Sequence, residues 1–174
     1  MTENTLGNPH APVRIDVWAD FQCPVSRKFA RNPELILRRN YIPTGQVQLV
    51  FHPYPILGPE SVLAAQAAEC AASQGRFWDY HDKLFAEQRS ENSGWFNPTN
   101  LDQWAGQLGL DVPSFATCRD HGDQINEVVA SLEAGQLMGV SWTPTVYVND
   151  QKLPNVPTWE ELEQRIRAAG ARAA

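Results

Sequence analysis

The chain has 174 residues, of which 43% are hydrophobic and 20% are charged, and its net charge is −6. This length suits one domain, or one domain with an insertion, and it can bury a core without help from a metal or a disulfide. The acidic balance argues against nucleic acid as a partner, because phosphate binding depends on clustered Lys and Arg. No apolar run approaches the ~20 residues that a membrane-spanning helix needs.

The segment Met1–Pro12 is polar and lacks the apolar stretch of a secretory signal peptide. Two alternatives stay open, a cytoplasmic protein and an extracytoplasmic domain whose export signal is absent from this sequence. The three cysteines make an odd count. Such a count favours one pair plus one leftover reactive thiol.

The first third of the chain predicts a strand, a helix and a second strand. Residues 13–18 alternate and are β-branched, which is typical of a strand. A helix is predicted from about Cys23, and Pro24 suits its first position because the missing N–H would have no partner there. Pro33 predicts an interruption of this helix before the second strand at 46–51. The crossover is long enough for the two strands to be parallel.

A mostly helical stretch is predicted from about residue 61 to 137. It opens with an alanine-rich helix that ends at Gly75. Strand character returns at 145–148, followed by a turn at Asn149–Asp150, a short return strand and a terminal amphipathic helix that Thr158 can cap. The order of elements, βαβ, helical block, ββα, predicts an α/β fold with a helical insertion.

Cys23 stands where the first strand's connection meets a helix start. A helix N-terminus offers unpaired N–H groups and about half a positive charge. Cysteines at such positions have thiol pKa values lowered to roughly 3.5–7.5. The sequence therefore predicts a thiolate nucleophile at Cys23. Ser26 lies three residues later on the same helix face, so its hydroxyl and its backbone N–H are expected to hydrogen-bond the sulfur.

Four runs of sequence resemble the DsbA-like branch of the thioredoxin superfamily. They span nearly the whole chain in the family's order: LGNPHAPV at 6–13, DFQCP at 20–24, QGRFWDYH at 74–81 and GVSWTPT at 139–145. The resemblance implies a thioredoxin fold, a central mixed β-sheet flanked by helices. Residues 1–55 and 139–174 would form the thioredoxin-like core, and residues 56–138 the helical insertion.

The resemblance also implies roles for residues near the predicted thiol. The family has a cis-proline beside the active cysteine at the position of Pro144. The backbone of Thr143 would then pair with an extended substrate segment. The residues expected to contact substrate are Phe21, Pro24, Val25 and Trp142.

Two positions depart from the family's pattern. Oxidases of the family have a second cysteine where this chain has Ser26, so Cys23 has no partner for an internal disulfide. It can still form a mixed disulfide with a protein thiol or with glutathione. Many relatives hold a buried glutamate at the position of Val17, and Asp16 is expected on the opposite strand face. A variant made to trap mixed disulfides would also carry the serine, but the change at position 17 favours natural divergence.

Cys70 and Cys118 both fall in helices of the predicted insertion. They are either buried free thiols, which pack as small apolar side chains, or a structural disulfide, which some DsbA-like relatives resemble at both positions. A third alternative, that one of them resolves disulfides of Cys23, is less favoured because both lie in the predicted insertion. We favour the disulfide, which implies an oxidising compartment and so an extracytoplasmic location.

We therefore expect a thiol-disulfide oxidoreductase that works through one cysteine on protein or peptide thiols and disulfides. No bound cofactor or metal is expected, glutathione is a candidate co-substrate, and His81 is expected to be packed and hydrogen-bonded. Two other classes stay open. A peptide-binding or chaperone-like module would keep its function after Cys23→Ala. A glutathione-dependent transferase or isomerase would bind glutathione saturably, with Ser26 orienting its thiol, and would not turn over protein disulfides.

Overall fold

The computed structural model describes residues 3–173. Its five strands are β1 (Thr5–Gly7), β2 (Val13–Ala19), β3 (Val47–Pro53), β4 (Thr145–Val148) and β5 (Gln151–Lys152). They form one sheet in the order β1-β3-β2-β4-β5. The β2–β3 pair is parallel and the other neighbouring pairs are antiparallel. The predicted central mixed sheet is confirmed.

Two helices, α1 (Pro24–Arg31) and α2 (Pro33–Asn40), follow β2. Asn32 separates them with a non-helical backbone (φ −134°, ψ −80°), and Pro33 opens α2 at a position where its missing N–H has no helical partner. The predicted interruption at Pro33 is therefore confirmed. A short 3-10 turn, Ile42–Thr44, then leads into β3.

The chain between β3 and β4 is helical, as predicted. It contains α3 (Pro59–Ala72), α4 (Phe77–Glu87), α5 (Pro98–Gln107), α6 (Val112–His121) and α7 (Ile125–Leu137). The side chains of Asn97 and Asp111 cap α5 and α6 by accepting hydrogen bonds from backbone N–H groups. Cys70 of α3 and Cys118 of α6 form a disulfide. Of the two alternatives for these cysteines, the disulfide is confirmed.

The alternation along β2 places its side chains on two faces of the sheet. Val13, Ile15 and Val17 join the main core, which also contains apolar side chains of α1, α2 and the C-terminal helix α8 (Trp159–Ala168). Trp18 packs on the other face in a smaller cluster with Tyr54, Val140 and Tyr147, against Leu132 of α7. The sheet is thus covered on both faces, and α7 covers the second one.

The contact between α7 and the sheet requires a glycine. A Cβ added at Gly135 would lie 2.5 Å from Tyr54 Cε2 and 2.9 Å from Trp18 Cδ1. These distances are shorter than side chains tolerate in a packed interior. Gly135 therefore allows α7 to approach the sheet, immediately before the chain returns to it through β4.

The last elements follow the sequence closely. Asn149 and Asp150 both have positive φ angles, 47° and 63°, as the two-residue turn of a tight hairpin requires. Thr158 caps α8 in a reciprocal capping box with Glu161. Across residues 3–173, no helix combines the length and apolar character needed to cross a membrane.

Candidate active site

Cys23 is the N-cap residue of α1 and has an extended backbone. Its carbonyl accepts the first helical hydrogen bond from the Arg27 N–H at 3.0 Å, and Pro24 occupies the first helical position. The thiol is free and only 8% of the residue is exposed. The predicted position of Cys23 at a helix N-terminus is confirmed.

The loop before β4 lies beside this thiol. β4 runs antiparallel to β2 with Thr145 opposite Trp18, so the start of β4 lies near the end of β2. The active loop, residues 20–23, begins there. The Thr143–Pro144 peptide bond is cis, as the resemblance implied. Cys23 Sγ lies 3.3 Å from the Thr143 carbonyl oxygen, which accepts its hydrogen bond. Residues 120 positions apart in the chain are thereby brought into contact.

Ser26 is buried on the first turn of α1, and its hydroxyl has no hydrogen-bond partner among the described residues. The predicted hydrogen bond from this hydroxyl to the sulfur is therefore wrong for this state of the protein. The partner of Cys23 Sγ is instead the Thr143 carbonyl.

Three of the four residues expected to contact substrate are exposed around the thiol. Pro24 is exposed, Val25 is 43% exposed and Trp142 is 39% exposed. The ammonium of Lys152 lies 4.2 Å from the centroid of the Trp142 ring, which is the geometry of a cation–π contact. These side chains form an accessible, largely apolar border, and their contact with substrate stays a prediction.

Phe21 does not belong to this border. It is 1% exposed, and its ring packs at 5.3 Å from that of Phe51 and at 5.1 Å from that of Phe85. The prediction that Phe21 lines a substrate groove is wrong, because the side chain turns inward into an aromatic cluster of the main core.

A shallow groove that the sequence did not predict begins at Val25, two residues after Cys23. Its volume is about 310 Å³, and it runs between the α1–α2 segment and the chain that precedes α8. The apolar side chains that line it are Val25, Phe29, Pro33, Val156 and Pro157. Lys28 and Asn32 complete its lining, and the groove is large enough for an apolar side chain.

Asp20 anchors the loop that carries Cys23 by hydrogen bonds. Its buried carboxylate accepts hydrogen bonds from the backbone N–H groups of Gln22, Ile56 and Leu57 and from the Ser61 hydroxyl, at 2.7–3.0 Å. Because β2 and β3 are parallel, the loops that follow them meet at one edge of the sheet. Asp20 therefore ties the active loop to the start of the insertion.

Asp16 is the other acidic residue near the active loop in the sequence. Its carboxylate accepts hydrogen bonds from the Arg14 guanidinium and lies 2.7 Å from His52 Nε2. This arrangement places Asp16 in a charged cluster, whereas Val17 lies in the main core.

Gln88 is a second contact to the active loop that the sequence analysis missed. It ends α4 and is 7% exposed. Its side-chain Nε2 donates to the Phe21 carbonyl at 2.7 Å and to the Cys23 carbonyl at 3.1 Å. The backbone carbonyl of Gln88 accepts from Arg27 Nη1 at 3.3 Å. No local pattern links residues 65 positions apart, so only the packing of the insertion reveals this contact.

A group of ionisable side chains links α2 to α4. His81 is buried and its Nδ1 lies 2.9 Å from Asp82 Oδ1, so its predicted packing and hydrogen bonding are confirmed. Its Nε2 is 3.5 Å from Glu34 Oε1, and burial raises the pKa of Glu34. Donor atoms of Glu34, His81 and Asp82 lie within 4.8 Å of one another. Asp82 also forms an ion pair with Arg38 at 2.6 Å. This ion pair links α2 to α4.

Glu69 gives the protein a pH-dependent stability. Burial, followed by the charge of Glu127, raises the pKa of Glu69 to about 7. A carboxyl whose pKa is higher in the folded than in the unfolded state binds a proton more tightly when folded. Its contribution to stability therefore falls as the pH rises from about 4.5 to about 7. We expect Glu69→Gln to stabilise the protein by about 1–2 kcal/mol at about pH 8 and to have little effect at about pH 4.

Urea unfolding at both pH values measures this effect. Glu133→Gln is the matched control, because Glu133 is an exposed carboxyl on α7, and its stability difference should stay near zero throughout. Equal effects of the two variants, or a Glu69→Gln effect independent of pH, would contradict the prediction.

A free cysteine at a helix N-terminus, a cis-proline loop against it and a helical insertion in a mixed sheet together define the DsbA-like class of thioredoxin-fold proteins. A family model described as Thioredoxin matches residues 1–168. The chain is 31% identical over 171 residues to the probable disulfide bond formation protein D of Bacillus anthracis, covering 95% of this chain and 77% of that protein. The chain belongs to the thioredoxin family, in its DsbA-like branch of thiol-disulfide oxidoreductases.

Two further similarities extend this result. The crystal structure of oxidised BdbD from Bacillus subtilis superposes with a TM-score of 0.89 at 27% identity, covering 95% of this chain and 91% of that one. The Na⁺/H⁺ antiporter NhaA 3 of Salinispora tropica is 30% identical over 173 residues. That match covers 98% of this chain and 25% of the antiporter, so the chain spans a quarter of that relative's length.

Proposed function

We propose that this protein is a thiol-disulfide oxidoreductase that acts through the single thiol of Cys23 and forms mixed disulfides with protein thiols or glutathione. The observation that carries the proposal is the free Cys23 at the start of α1, in contact with Thr143. Ser26 stands where a resolving cysteine would be needed for an internal disulfide.

The chemistry follows from the helix start. The thiolate is the attacking form of a cysteine, and Cys23 lies at a helix start, where unpaired N–H groups and the helix dipole face the approaching substrate. The thiolate attacks one sulfur of a substrate disulfide, a new S–S bond forms to Cys23, and the other substrate sulfur leaves as a thiolate. A glutathione thiolate then attacks the substrate sulfur of the mixed disulfide. Cys23 leaves as a thiolate, and the substrate is left bonded to glutathione.

Protein or peptide substrates fit the surroundings of the thiol. Val25, two residues after Cys23, and Trp142, next to Thr143, present exposed apolar surface, and the groove at Val25 is lined largely by apolar side chains. The backbone of Thr143 lies at the thiol and offers polar groups to an extended segment. We propose that an apolar residue next to the substrate cysteine enters the groove.

The proposed location is extracytoplasmic. The Cys70–Cys118 disulfide supports this location, because structural disulfides persist in oxidising compartments. The net charge of −6 supports protein thiols rather than nucleic acid as partners.

The proposal is tested with oxidised glutathione and Cys23→Ser. The wild-type protein is expected to gain one glutathione by intact mass and to pass it to a reduced peptide, whereas Cys23→Ser should do neither. Binding of an unfolded chain that survives Cys23→Ala, without exchange in the wild type, would instead identify a chaperone-like module. Saturable binding of reduced glutathione without turnover of protein disulfides would identify a transferase or isomerase.

A further inference from the structure

Gln88 reaches the active loop from the insertion side. Its Nε2 lies 2.7 Å from the Phe21 carbonyl oxygen and 3.1 Å from the Cys23 carbonyl oxygen. Both partners are acceptors, so the side-chain amide must present its NH₂ group to them. The residue is buried and 7% exposed. Two backbone carbonyls of the loop that carries the thiol therefore depend on one side chain of α4.

These bonds act on the residue that carries the chemistry. The Cys23 carbonyl accepts from the Arg27 N–H at 3.0 Å and from Gln88 at 3.1 Å, while its sulfur is directed to Thr143. Cys23 is thus held at its carbonyl by the insertion and by α1, and at its sulfur by the loop before β4. Rotation of the Cys23 backbone would break the bond to Gln88 and move the sulfur.

A second contact reinforces the same connection. The Asn92 N–H, in the segment between α4 and α5, donates to Gln22 Oε1 at 2.7 Å, and Gln22 Nε2 donates to the Ser61 hydroxyl at 2.8 Å. Each residue from Phe21 to Cys23 is therefore contacted by a side chain or backbone group of the α4–α5 connection.

We propose that Gln88 is a positioning residue for the thiol chemistry of Cys23. Its amide fixes the Phe21–Gln22 and Cys23–Pro24 peptide planes, so that the free N–H groups of the first turn of α1 are held in register with the sulfur. This inference rests on the proposed function, and it gives the insertion a direct part in setting the reactivity of the thiol.

Two variants test the proposal. Gln88→Met keeps the length of the side chain and removes both donors, and Gln88→Glu keeps its shape and replaces the donor by a carboxylate oxygen. The rate constant for alkylation of Cys23 by iodoacetamide is measured as a function of pH. We expect the midpoint of the profile to rise by about half a unit to one unit in Gln88→Met. At a pH well below the wild-type midpoint the rate should then fall by about three- to tenfold, and further in Gln88→Glu.

Asn97→Ala is the matched control. Asn97 lies in the same α4–α5 connection and caps α5 by accepting from the Asn100 N–H, and loss of such a cap costs about 1 kcal/mol. We expect this variant to lower stability and to leave the alkylation profile unchanged. A Gln88→Met profile that coincides with that of the wild type, or an equal shift in Asn97→Ala, would overturn the proposal.

One measurement does not depend on the folding of any variant. In the ¹⁵N-labelled wild-type protein, the side-chain NH₂ chemical shifts of Gln88 should change with pH around the midpoint of the alkylation profile. Those of Asn97 should not change there. Gln88 resonances that stay constant through the midpoint would overturn the proposal. Failure of the wild-type protein to exchange with glutathione would overturn the proposed function, whereas an unchanged Gln88→Met in an active protein overturns only the role of Gln88.

Discussion

Ser26→Cys is expected to convert the protein from a one-thiol to a two-thiol enzyme. The new thiol would lie on the first turn of α1, three residues from Cys23, at a buried position whose hydroxyl has no partner within residues 3–173. A neighbouring thiol attacks a mixed disulfide with an effective molarity far above that of millimolar glutathione. Release of a bound substrate should therefore accelerate on the order of 10²-fold or more. Quenched-flow decay of a Cys23–peptide mixed disulfide measures this rate.

The product of that reaction gives a second measurement. Ser26→Cys should form an internal disulfide in a glutathione redox buffer, and it should oxidise a reduced peptide as it returns to the dithiol. Cys23→Ala with Ser26→Cys is the control, because it has the new thiol without its partner, and it should do neither. If the wild-type protein released the peptide as fast as Ser26→Cys does, the absence of a resolving thiol would not limit the reaction, and the prediction would be wrong.

Replacing both Cys70 and Cys118 by Ala is expected to destabilise the fold by about 4 kcal/mol, because the disulfide closes a loop with a sequence separation of 48 and so restricts the unfolded chain. Urea unfolding of the double variant measures the loss. The exchange rate of Cys23 should be unchanged in the folded protein, because the disulfide joins α3 to α6 whereas Cys23 caps α1.

The wild-type protein under reducing conditions is the control for that loss. Dithiothreitol should lower its stability toward that of the double variant and should leave the variant itself unaffected. A loss below about 1 kcal/mol in both cases would show that the unfolded chain gains little freedom when the bridge is removed.

Local patterns predicted the elements that carry the site. The alternation of β2, Pro24 at a first helical position and Pro33 at an interruption each report backbone constraints that act within a few residues. The contact between Cys23 and the loop at Pro144 crosses 120 positions, and only the resemblance to a known family predicted it.

The contacts that position the thiol could not be predicted in this way. The position of Phe21 beside Cys23 predicts a residue of the substrate groove, yet its ring packs in the core against Phe51 and Phe85. Asp20 and Gln88 act through hydrogen bonds to chain segments 36 or more positions away. Such bonds depend on how the insertion packs against the sheet, and no local periodicity encodes that packing.

The first strand was also missed, for a related reason. β1 has three residues, and it is held by its antiparallel register with β3, in which Leu6 lies opposite Leu49. A segment this short carries too few residues for alternation to be visible. Its extended conformation comes from the neighbouring strand.

Both edges of the sheet are short, with three residues in β1 and two in β5. A long open edge would offer a row of unpaired backbone groups on which another extended chain could add itself and start to aggregate. For a protein proposed to exchange disulfides with protein and peptide substrates, such edges would favour aggregation with each substrate that binds. The short edges leave a visiting polypeptide little backbone to pair with there, so that it can dissociate once its sulfur has exchanged.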